Sequence, residues 1–206
     1  MSIRPEFETF GSTVSASEAI VQYLIPWVQA DAVGGNRQID RVTTVERHIG
    51  SFDKPEDIKR WMSRKNGGVR VAAMRIISMT NQGTQLVGTV EFAAFVFCSD
   101  EFAYAKDARA EVVASRVCKA LMSKGGWTGT GAAKAPSMVR ADNLYSVKID
   151  ELGVAIWSVT WQQDWPLDNP IDPDTLDDFL RFNWLAKQAD GAPELEADII
   201  LPGPNP

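Results

Sequence analysis

Histidine and cysteine are scarce in this sequence, which contains one histidine and two cysteines among 206 residues. Because these residue types supply most zinc ligands, a lone His48 and two widely spaced cysteines exclude a zinc site of recognisable spacing. Cys98 and Cys118 both lie in apolar segments. We expect them to be small buried side chains in a reducing compartment, with a single disulfide as the alternative. His48 falls among charged residues, so we expect it at the surface and not as a catalytic base.

Long apolar runs are also missing. No segment approaches the roughly 18 consecutive apolar residues that a membrane-spanning helix requires. The first ten residues contain two acids and no apolar stretch, so we expect no secretory signal. We therefore expect synthesis in the cytoplasm and no membrane partner.

Basic residues are few at one end of the chain. The net charge is −6; residues 1–162 contain 19 basic and 17 acidic residues, whereas residues 163–206 contain two basic and ten acidic ones. This contrast predicts a domain over 1–163 and an acidic C-terminal arm over 164–206. The arm is either solvated or lies on a basic patch of its own or a neighbouring subunit. Tight general binding to DNA is disfavoured, because it requires clustered positive charge.

Catalytic motifs are absent as well. No G-x-S-x-G turn occurs, which removes the usual serine hydrolase arrangement. The glycine-rich segment 125–136 contains GGWTGTGAAK, but two alanines separate the second glycine from Lys134 and no Ser or Thr follows it. The segment also precedes a predicted strand, whereas a phosphate-binding loop opens a helix. We interpret it as a mobile connection in which Trp127 is either an anchor or a contact residue, and we expect no enzyme activity and no cofactor.

What the sequence does contain is a mixture of helical and strand periodicity. Helical spacing, capping residues and terminal glycines predict helices over 15–33, 55–63 and 100–124. Alternating and β-branched stretches predict strands over 39–49, 69–98, 138–147 and 152–163, with a turn at 81–83 that makes 69–98 a hairpin. Pro26 is expected to kink the first helix, because proline removes a hydrogen bond and crowds the preceding turn.

The second arm of the hairpin alternates between two faces. Its apolar face contains Leu86, Val90, Phe92, Ala94, Val96 and Cys98, and its polar face contains Gln85, Thr89 and Glu91. Phe95 and Phe97 make the polar face apolar near its end, so that end is expected to be covered on both sides. Two hairpins with packed helices predict an α+β fold with an antiparallel or mixed sheet.

Two helices have faces that do not fit simple burial in one core. Arg109 and Arg116 project within the apolar arc of 100–124, either as arginines that extend from the core edge to water or as subunit contacts. In the acidic arm, Asp172 and Pro173 predict a helix over about 173–187, followed by an extended tail. Its apolar residues cover more than one face, which predicts two packing partners.

The block VRADNLYSVKIDELGVAIWSVTWQQDW, after a helix ending in ASRVCKALMSKGGW, resembles the tail terminator (tail completion) proteins of long-tailed bacteriophages, particularly the Mu-like type. In that family a helix ending in a short glycine-tryptophan loop precedes two similar strands. The later segments DDFLRFNWL and ADIILPG are similar to the family's C-terminal ending. The resemblance extends over about residues 17–202, and it rests on the order of elements because none of these segments is a chemical signature.

This resemblance implies a structural virion protein. Tail terminators form a ring, usually of six subunits, on the head-proximal end of the tail tube, where they stop polymerisation and meet the head-completion (stopper) protein. In contractile tails they also meet the sheath. DNA only passes through the lumen, and assembly occurs in the host cytoplasm. The face with Gln85, Thr89 and Glu91 is a candidate lumen lining, and the candidate interface residues are Arg109, Arg116, Trp127, Lys134, Phe179, Phe182 and Trp184.

Two alternatives stay open at this point. Other head-tail connector or neck proteins share small α+β folds and ring symmetry, and they differ from a terminator in binding the portal instead of the tube. A small-molecule binding protein or enzyme that uses the face of Trp157 and Trp161 is a third interpretation, weakened by the shortage of catalytic residue types.

Overall fold

The computed structural model describes residues 9–30, 39–49, 58, 67–83, 85–101, 103–168, 181–186 and 195–200, the last two ranges as backbone only. The chain divides into two compact units, unit 1 (Met1–Asn169) and unit 2 (Pro170–Pro206). Among the helices of the described ranges, none is long and apolar enough to cross a membrane.

In its described part, unit 1 is built on a five-stranded mixed sheet with the order β1-β2-β3-β5-β4. β1 runs parallel to β2, and the other neighbouring pairs are antiparallel. The two predicted hairpins, β2–β3 and β4–β5, therefore lie side by side, and the α+β prediction is confirmed. The strands are β1 (Thr44–Arg47), β2 (Gly67–Gln82), β3 (Gln85–Cys98), β4 (Ser137–Asn143) and β5 (Ala155–Pro166).

The strand boundaries differ from the prediction at two places. β1 covers only part of the predicted strand over 39–49, because the preceding backbone makes a parallel bridge from Val42 to Gln29. β5 continues to Pro166, since Asp164 and Trp165 pair with Thr89 and Gly88 of β3. Residues 164–166 thus belong to the sheet and not to the predicted arm.

The first helix, α1, spans Thr13–Val28 and starts earlier than predicted. The hydroxyl of Ser12 accepts hydrogen bonds from the N–H groups of Val14 (3.2 Å) and Ser15 (3.5 Å), so Ser12 is the cap. The helix ends at Val28, before the predicted position 33, because the next residues bond to Val42. Pro26 lies in its last turn, and the predicted terminal glycines at 34 and 35 lie outside the described residues.

The helix predicted over 100–124 is shorter, and it forms α2 over Lys106–Leu121. Asp100 still caps it from a distance, since its Oδ1 accepts the Lys106 N–H at 2.7 Å. The chain leaves the helix through Gly125, whose φ of 75° is in the left-handed region that glycine adopts without strain. A short helix, α3 (Val147–Asp150), then connects β4 to β5.

Helices α1 and α2 contribute to the main core on one face of the sheet. The sheet contributes the predicted apolar face of β3 from Val90 to Cys98, together with Val159 and Trp161 of β5. A second cluster contains Phe95, Phe97, Val154 and Ile156. The prediction that this end of the sheet is covered on both sides is confirmed. Ile58 belongs to the second cluster and is helical, whereas the rest of the predicted helix over 55–63 lies outside the described residues.

Unit 2 contains a two-stranded antiparallel hairpin made of β6 (Arg181–Ala186) and β7 (Leu195–Ile200). The predicted helix over 173–187 is therefore wrong for 181–186, where Phe182 pairs with Ile199 and Trp184 with Ala197. Aromatic residues at every second position, Phe182 and Trp184, favour a strand. The pairing with β7 stabilises this strand more than the helical spacing of the apolar residues stabilises a helix. β7 lies in the segment that was predicted to be an extended tail.

Candidate functional site

The candidate lumen lining lies on the sheet face opposite α1 and α2. The cross-strand partners Arg75, Glu91 and Gln162 share this face, as do Thr89 and Asp164. The Arg75 guanidinium pairs with the Glu91 carboxylate at 3.0 Å. We call this surface, defined by Arg75, Gln85, Thr89, Glu91, Arg140, Thr160, Gln162 and Asp164, the open face. The predicted residues Gln85, Thr89 and Glu91 are thus on one surface.

Charges on and beside the open face occur as opposite pairs. Besides Arg75 with Glu91, Lys134 pairs with Asp164 at 2.6 Å and Arg140 lies 3.9 Å from Asp142. Arg140 also donates to the hydroxyl of Thr160 at 2.9 Å. A depression of about 250 Å³ lies between these groups, lined by Arg75, Glu91, Met138, Arg140, Thr160, Trp161 and Gln162. The three cations and three anions leave this surface without net charge.

Asp164 ties the glycine-rich loop (residues 125–136) to the sheet. Its carboxylate accepts hydrogen bonds from Lys134 Nζ at 2.6 Å and from the Thr89 hydroxyl at 2.7 Å, and its carbonyl accepts one from the Ala133 N–H at 2.9 Å. The pKa of Asp164 is lowered, chiefly by the bond from Lys134 and then by that from Thr89, against a smaller opposing effect of burial. Lys134, a candidate interface residue, therefore pairs within its own unit while its side chain stays largely exposed.

Trp127 anchors the other end of the same loop. It is 6% exposed, its Nε1–H donates to the Leu121 carbonyl at 3.1 Å, and its ring centroid lies 4.1 Å from that of Tyr23. Tyr23 donates in turn to the Ala120 carbonyl at 2.8 Å. Of the two interpretations of Trp127, the structure favours the anchor. The interface assignment is corrected, because so buried an indole offers little surface to another subunit.

Arg109 is likewise not on the surface. It is 3% exposed, pairs with Glu101 at 2.8 Å and donates to the Ser99 carbonyl at 2.6 Å. The guanidinium thus joins α2 to the loop that follows β3. This is a correction of the interface prediction, and the physical reason is that a carboxylate from the preceding loop reaches the arginine inside the unit.

Arg116 remains partly exposed. It pairs with Asp40 and donates to the Trp27 carbonyl, which links α2 to the end of α1. Phe179 lies outside the described residues, and Phe182 and Trp184 are in β6, for which only the backbone is described. Of the predicted interface residues with described side chains, Arg116 and Lys134 are therefore accessible.

The tryptophan face proposed as a ligand site is largely filled by the core, and Trp157 also lines a pocket of about 460 Å³. Trp161 is buried and its ring stacks on Phe92 with centroids 5.6 Å apart, and Val159 beside it is fully buried. Trp157 is partly buried against the same cluster. In the described ranges no group of three or more His, Cys, Asp or Glu side chains is arranged to hold a metal ion.

The two cysteines are free thiols, so the disulfide alternative is not realised. Burial raises the pKa of Cys98 to about 12, which keeps it protonated at neutral pH. Burial also raises the pKa of the half-buried Cys118. His48 is partly buried, and burial followed by the charge of Arg70 lowers its pKa. The backbone N–H of His48, just after the end of β1, donates to the Val71 carbonyl of β2 at 2.7 Å.

Sequence reasoning missed the residues that are exposed and apolar at the sheet margins. Met74, Ile76, Ile77 and Met79 of β2 are exposed, as are Met138 in β4 and Tyr145 after it. The signal was present in β2, where MRIISM lacks the alternation of a strand with one buried face.

Comparison with models of protein families finds no match, and no curated protein matches at a significant level.

Proposed function

We propose that this protein is a structural virion protein that closes the head-proximal end of a phage tail tube as a ring of identical copies and joins the tail to the neck. It acts by binding its own copies, the tube protein and a head-completion protein, and in a contractile tail also the sheath. It catalyses no reaction and requires no cofactor. The proposal starts from the resemblance to tail terminators.

The observation that carries the proposal is the position of the segment with that resemblance. The block from 138 to 165 corresponds to β4, α3 and most of β5, at one margin of the sheet. The outer edge of β4 has no strand beside it in the described part of the chain. Met138 in β4, and Tyr145 and Val147 in the segment that follows it, expose large apolar surfaces. Exposed apolar groups at a sheet margin are typical of contact surfaces between proteins, which supports an assembly role.

The open face supports a role as a lining for passing DNA. Its cations are each paired with a carboxylate, so it has no excess of positive charge to hold the phosphate backbone. Its polar groups favour contact with water. A ring that turns this face inward therefore gives a lumen through which DNA moves without being retained.

The charge distribution supports a role of the acidic unit in binding partner proteins. With the boundary at Asn169, unit 1 contains 19 basic and 19 acidic residues, and unit 2 contains two basic and eight acidic ones. Unit 1 is therefore neutral overall, because Asp164 and Asp168 belong to it. A neutral body offers unit 2 no overall attraction, so we propose that unit 2 binds basic surfaces on the tube, sheath or neck.

Electron microscopy of particles assembled without this protein tests the role. Overlong tails, or tails that do not join heads, are the expected outcome. Normal infectious virions would contradict it. Binding of the purified protein to isolated tube ends and not to the portal separates a terminator from another neck protein, and binding to the portal alone would favour the second.

A further inference from the structure

Within the described residues, the sheet of unit 1 has an unpaired edge on each side. β1 pairs only with Gly68–Val71 of β2, so the outer edge of β2 from Ala72 to Gln82 has no backbone partner in the described residues. The outer edge of β4 is unpaired over the same part of the chain. Each edge presents a row of backbone N–H and C=O groups to which another strand can add.

The edge of β2 lacks most of the features that usually protect sheet edges. It contains no lysine or proline, and its one charge, Arg75, is engaged by Glu91 of the neighbouring strand. Four large apolar side chains are 38–48% exposed along it, those of Met74, Ile76, Ile77 and Met79. Two register shifts interrupt its pairing with β3, but Ser78–Gln82 is regular after them. An exposed edge strand of this length and composition tends to aggregate unless another strand pairs with it.

We propose that copies of this chain associate head to tail by pairing the β2 edge (Ala72–Gln82) of one copy with the β4 edge (Ser137–Asn143) of the next. The sheets then continue from copy to copy. This deepens the proposed ring by naming its subunit contact, and it rests on that function only for the closure of the ring.

Strand direction agrees with this pairing. β2 is antiparallel to β3, β3 to β5 and β5 to β4, so β4 runs opposite to β2. A neighbouring β4 placed beside β2 is therefore antiparallel to it and continues the alternation. The two edges differ, so the contact is heterologous, and such contacts generate rings or open filaments.

The side chains on the two edges also match face by face. Arg140 pairs with Thr160, and Ser78 pairs with Thr89, so both residues are on the open face. In the proposed contact, Arg140 and Asp142 of β4 lie beside the polar residues Ser78 and Thr80 of β2. On the face toward the helices, Ala141 of β4 meets Met79 of β2. Polar groups thus continue a polar surface, and Ala141 adds apolar surface beside Met79.

The two edges lie at different levels along the strands. Arg140 pairs with Thr160 of β5, which pairs with Ala93 of β3, so Arg140 lies at the height of Ala93 along the strands. Ser78 pairs with Thr89 of β3 and therefore lies four residues away from that height. If Arg140 of one copy pairs with Ser78, Thr80 or Gln82 of the next, the second copy is displaced along the strand direction. The displacement is about four, six or eight residues, respectively, accumulated over the four strands β2, β3, β5 and β4. A shift of about one position per strand corresponds to a strand tilt of about 36° in a closed barrel. Ring closure therefore favours Ser78 or Thr80.

A symmetric pairing of β2 with β2 of a second copy is the competing arrangement. It would leave both β4 edges of the dimer unpaired, with Met138 exposed on each. It would also stop at two copies, because an isologous contact uses the same surface twice. The head-to-tail pairing uses both edges.

Disulfide cross-linking between copies tests the pairing. Arg140→Cys is combined in one chain with Ser78→Cys, Thr80→Cys or Gln82→Cys, and the concentrated full-length protein is oxidised and separated without reductant. We expect a ladder of dimers, trimers and larger species, strongest with Ser78→Cys or Thr80→Cys. The matched control is Arg140→Cys with Glu111→Cys, which lies on the exposed side of α2 and should give no ladder. No ladder in any pair, or dimers from Thr80→Cys alone, would overturn the proposal.

A charge on the edge provides a second measurement. Met79→Lys should abolish self-association in light scattering at concentrations where the wild type associates, because an edge lysine opposes strand addition. Met122→Lys, at another exposed methionine beyond the end of α2, should leave association unchanged. Equal association of both variants would contradict the edge contact. Cross-linked ladders from a protein without effect on tail length would leave this pairing standing and remove only the terminator role.

Discussion

The carboxylate of Asp164 lies 2.6 Å from Lys134 Nζ and 2.7 Å from the Thr89 hydroxyl. One residue near the end of β5 thus joins the glycine-rich loop to the neighbouring strand β3. Because the backbone carbonyl of the same residue also accepts the Ala133 N–H, the loop is bonded to both the side chain and the backbone of Asp164. These bonds attach the glycine-rich loop, which the sequence predicted to be a mobile connection, to the sheet beside the open face.

Replacement of Asp164 by asparagine should destabilise unit 1 by about 1 kcal/mol, because it removes a charge-assisted bond to a lysine that is largely exposed and therefore screened. Urea unfolding monitored by tryptophan fluorescence measures the change. Asp142→Asn is the matched control, since this exposed carboxylate lies 3.9 Å from Arg140. We expect it to change the free energy of unfolding by less than about 0.5 kcal/mol. Equal effects of the two substitutions would contradict the loop attachment.

The contribution of Asp164 should depend on pH in a defined direction. Its pKa is lowered on folding, mainly by Lys134. A carboxyl of this kind stabilises the fold above its unfolded-state pKa of about 3.9 and loses that contribution as pH falls through the folded-state value. The stability difference between wild type and Asp164→Asn should stay constant near neutral pH and shrink below about pH 4. Unfolding curves across that range measure it, and a difference that persists undiminished in acid would count against this origin.

Periodicity predicted the fold to the extent that burial follows local pattern. The alternation through Phe92, Ala94 and Val96, with Phe95 and Phe97 on the other side, correctly located the end of the sheet that is covered twice. Periodicity could not predict the bond between Asp164 and Lys134, because the two residues are brought together by the pairing of β5 with its neighbours. The charge contrast along the sequence placed Asp164 in the acidic arm, since composition does not reveal where a strand ends.

Trp127→Ala should cost about 3–5 kcal/mol, the range for removing a large buried aromatic side chain. The indole packs on Tyr23 and donates to Leu121. Trp127→Phe keeps an aromatic ring there and loses the hydrogen bond, so it should cost less than the alanine substitution. Thermal and urea unfolding measure both. Unchanged stability of Trp127→Ala would restore the interpretation of this residue as a contact for partners.

Arg109→Met should destabilise unit 1 by about 3–5 kcal/mol, because it leaves the largely buried Glu101 carboxylate without its cation. Arg116→Met removes a partly exposed pair with Asp40 and should cost about 1 kcal/mol or less. The comparison of the two arginines by urea unfolding decides between burial and surface roles. A smaller loss for Arg109→Met than for Arg116→Met would contradict the assignment.

The residues that sequence reasoning misplaced share one cause. Arg109 and Arg116 occupy the same arc of one helix, and only the neighbouring segments, which provide Glu101 to one and Asp40 to the other, distinguish their burial. The segment 181–186 satisfies both helical and strand preferences, and its pairing with 195–200 decides between them. In each case the structure depends on a residue or strand that is distant in the sequence or that local periodicity does not predict.

Glu91→Lys should slow DNA ejection from assembled particles if the open face lines the lumen. The substitution replaces the partner of Arg75 by a second cation, so both side chains become available to the phosphate backbone. The effect should weaken as ionic strength rises, because salt screens the attraction. Ejection rates from purified particles at two salt concentrations measure it. Glu91→Gln removes the carboxylate charge without adding a cation and should have an intermediate effect.

The matched control for this substitution is Glu111→Lys, which makes the same charge change on the exposed surface of α2. Its ejection rate should equal that of the wild type, because α2 packs on the face of the sheet opposite the open face. Unfolding curves of both variants establish that each is folded before assembly. If the two lysine substitutions slow ejection equally, the effect follows net charge and the open face does not line the channel.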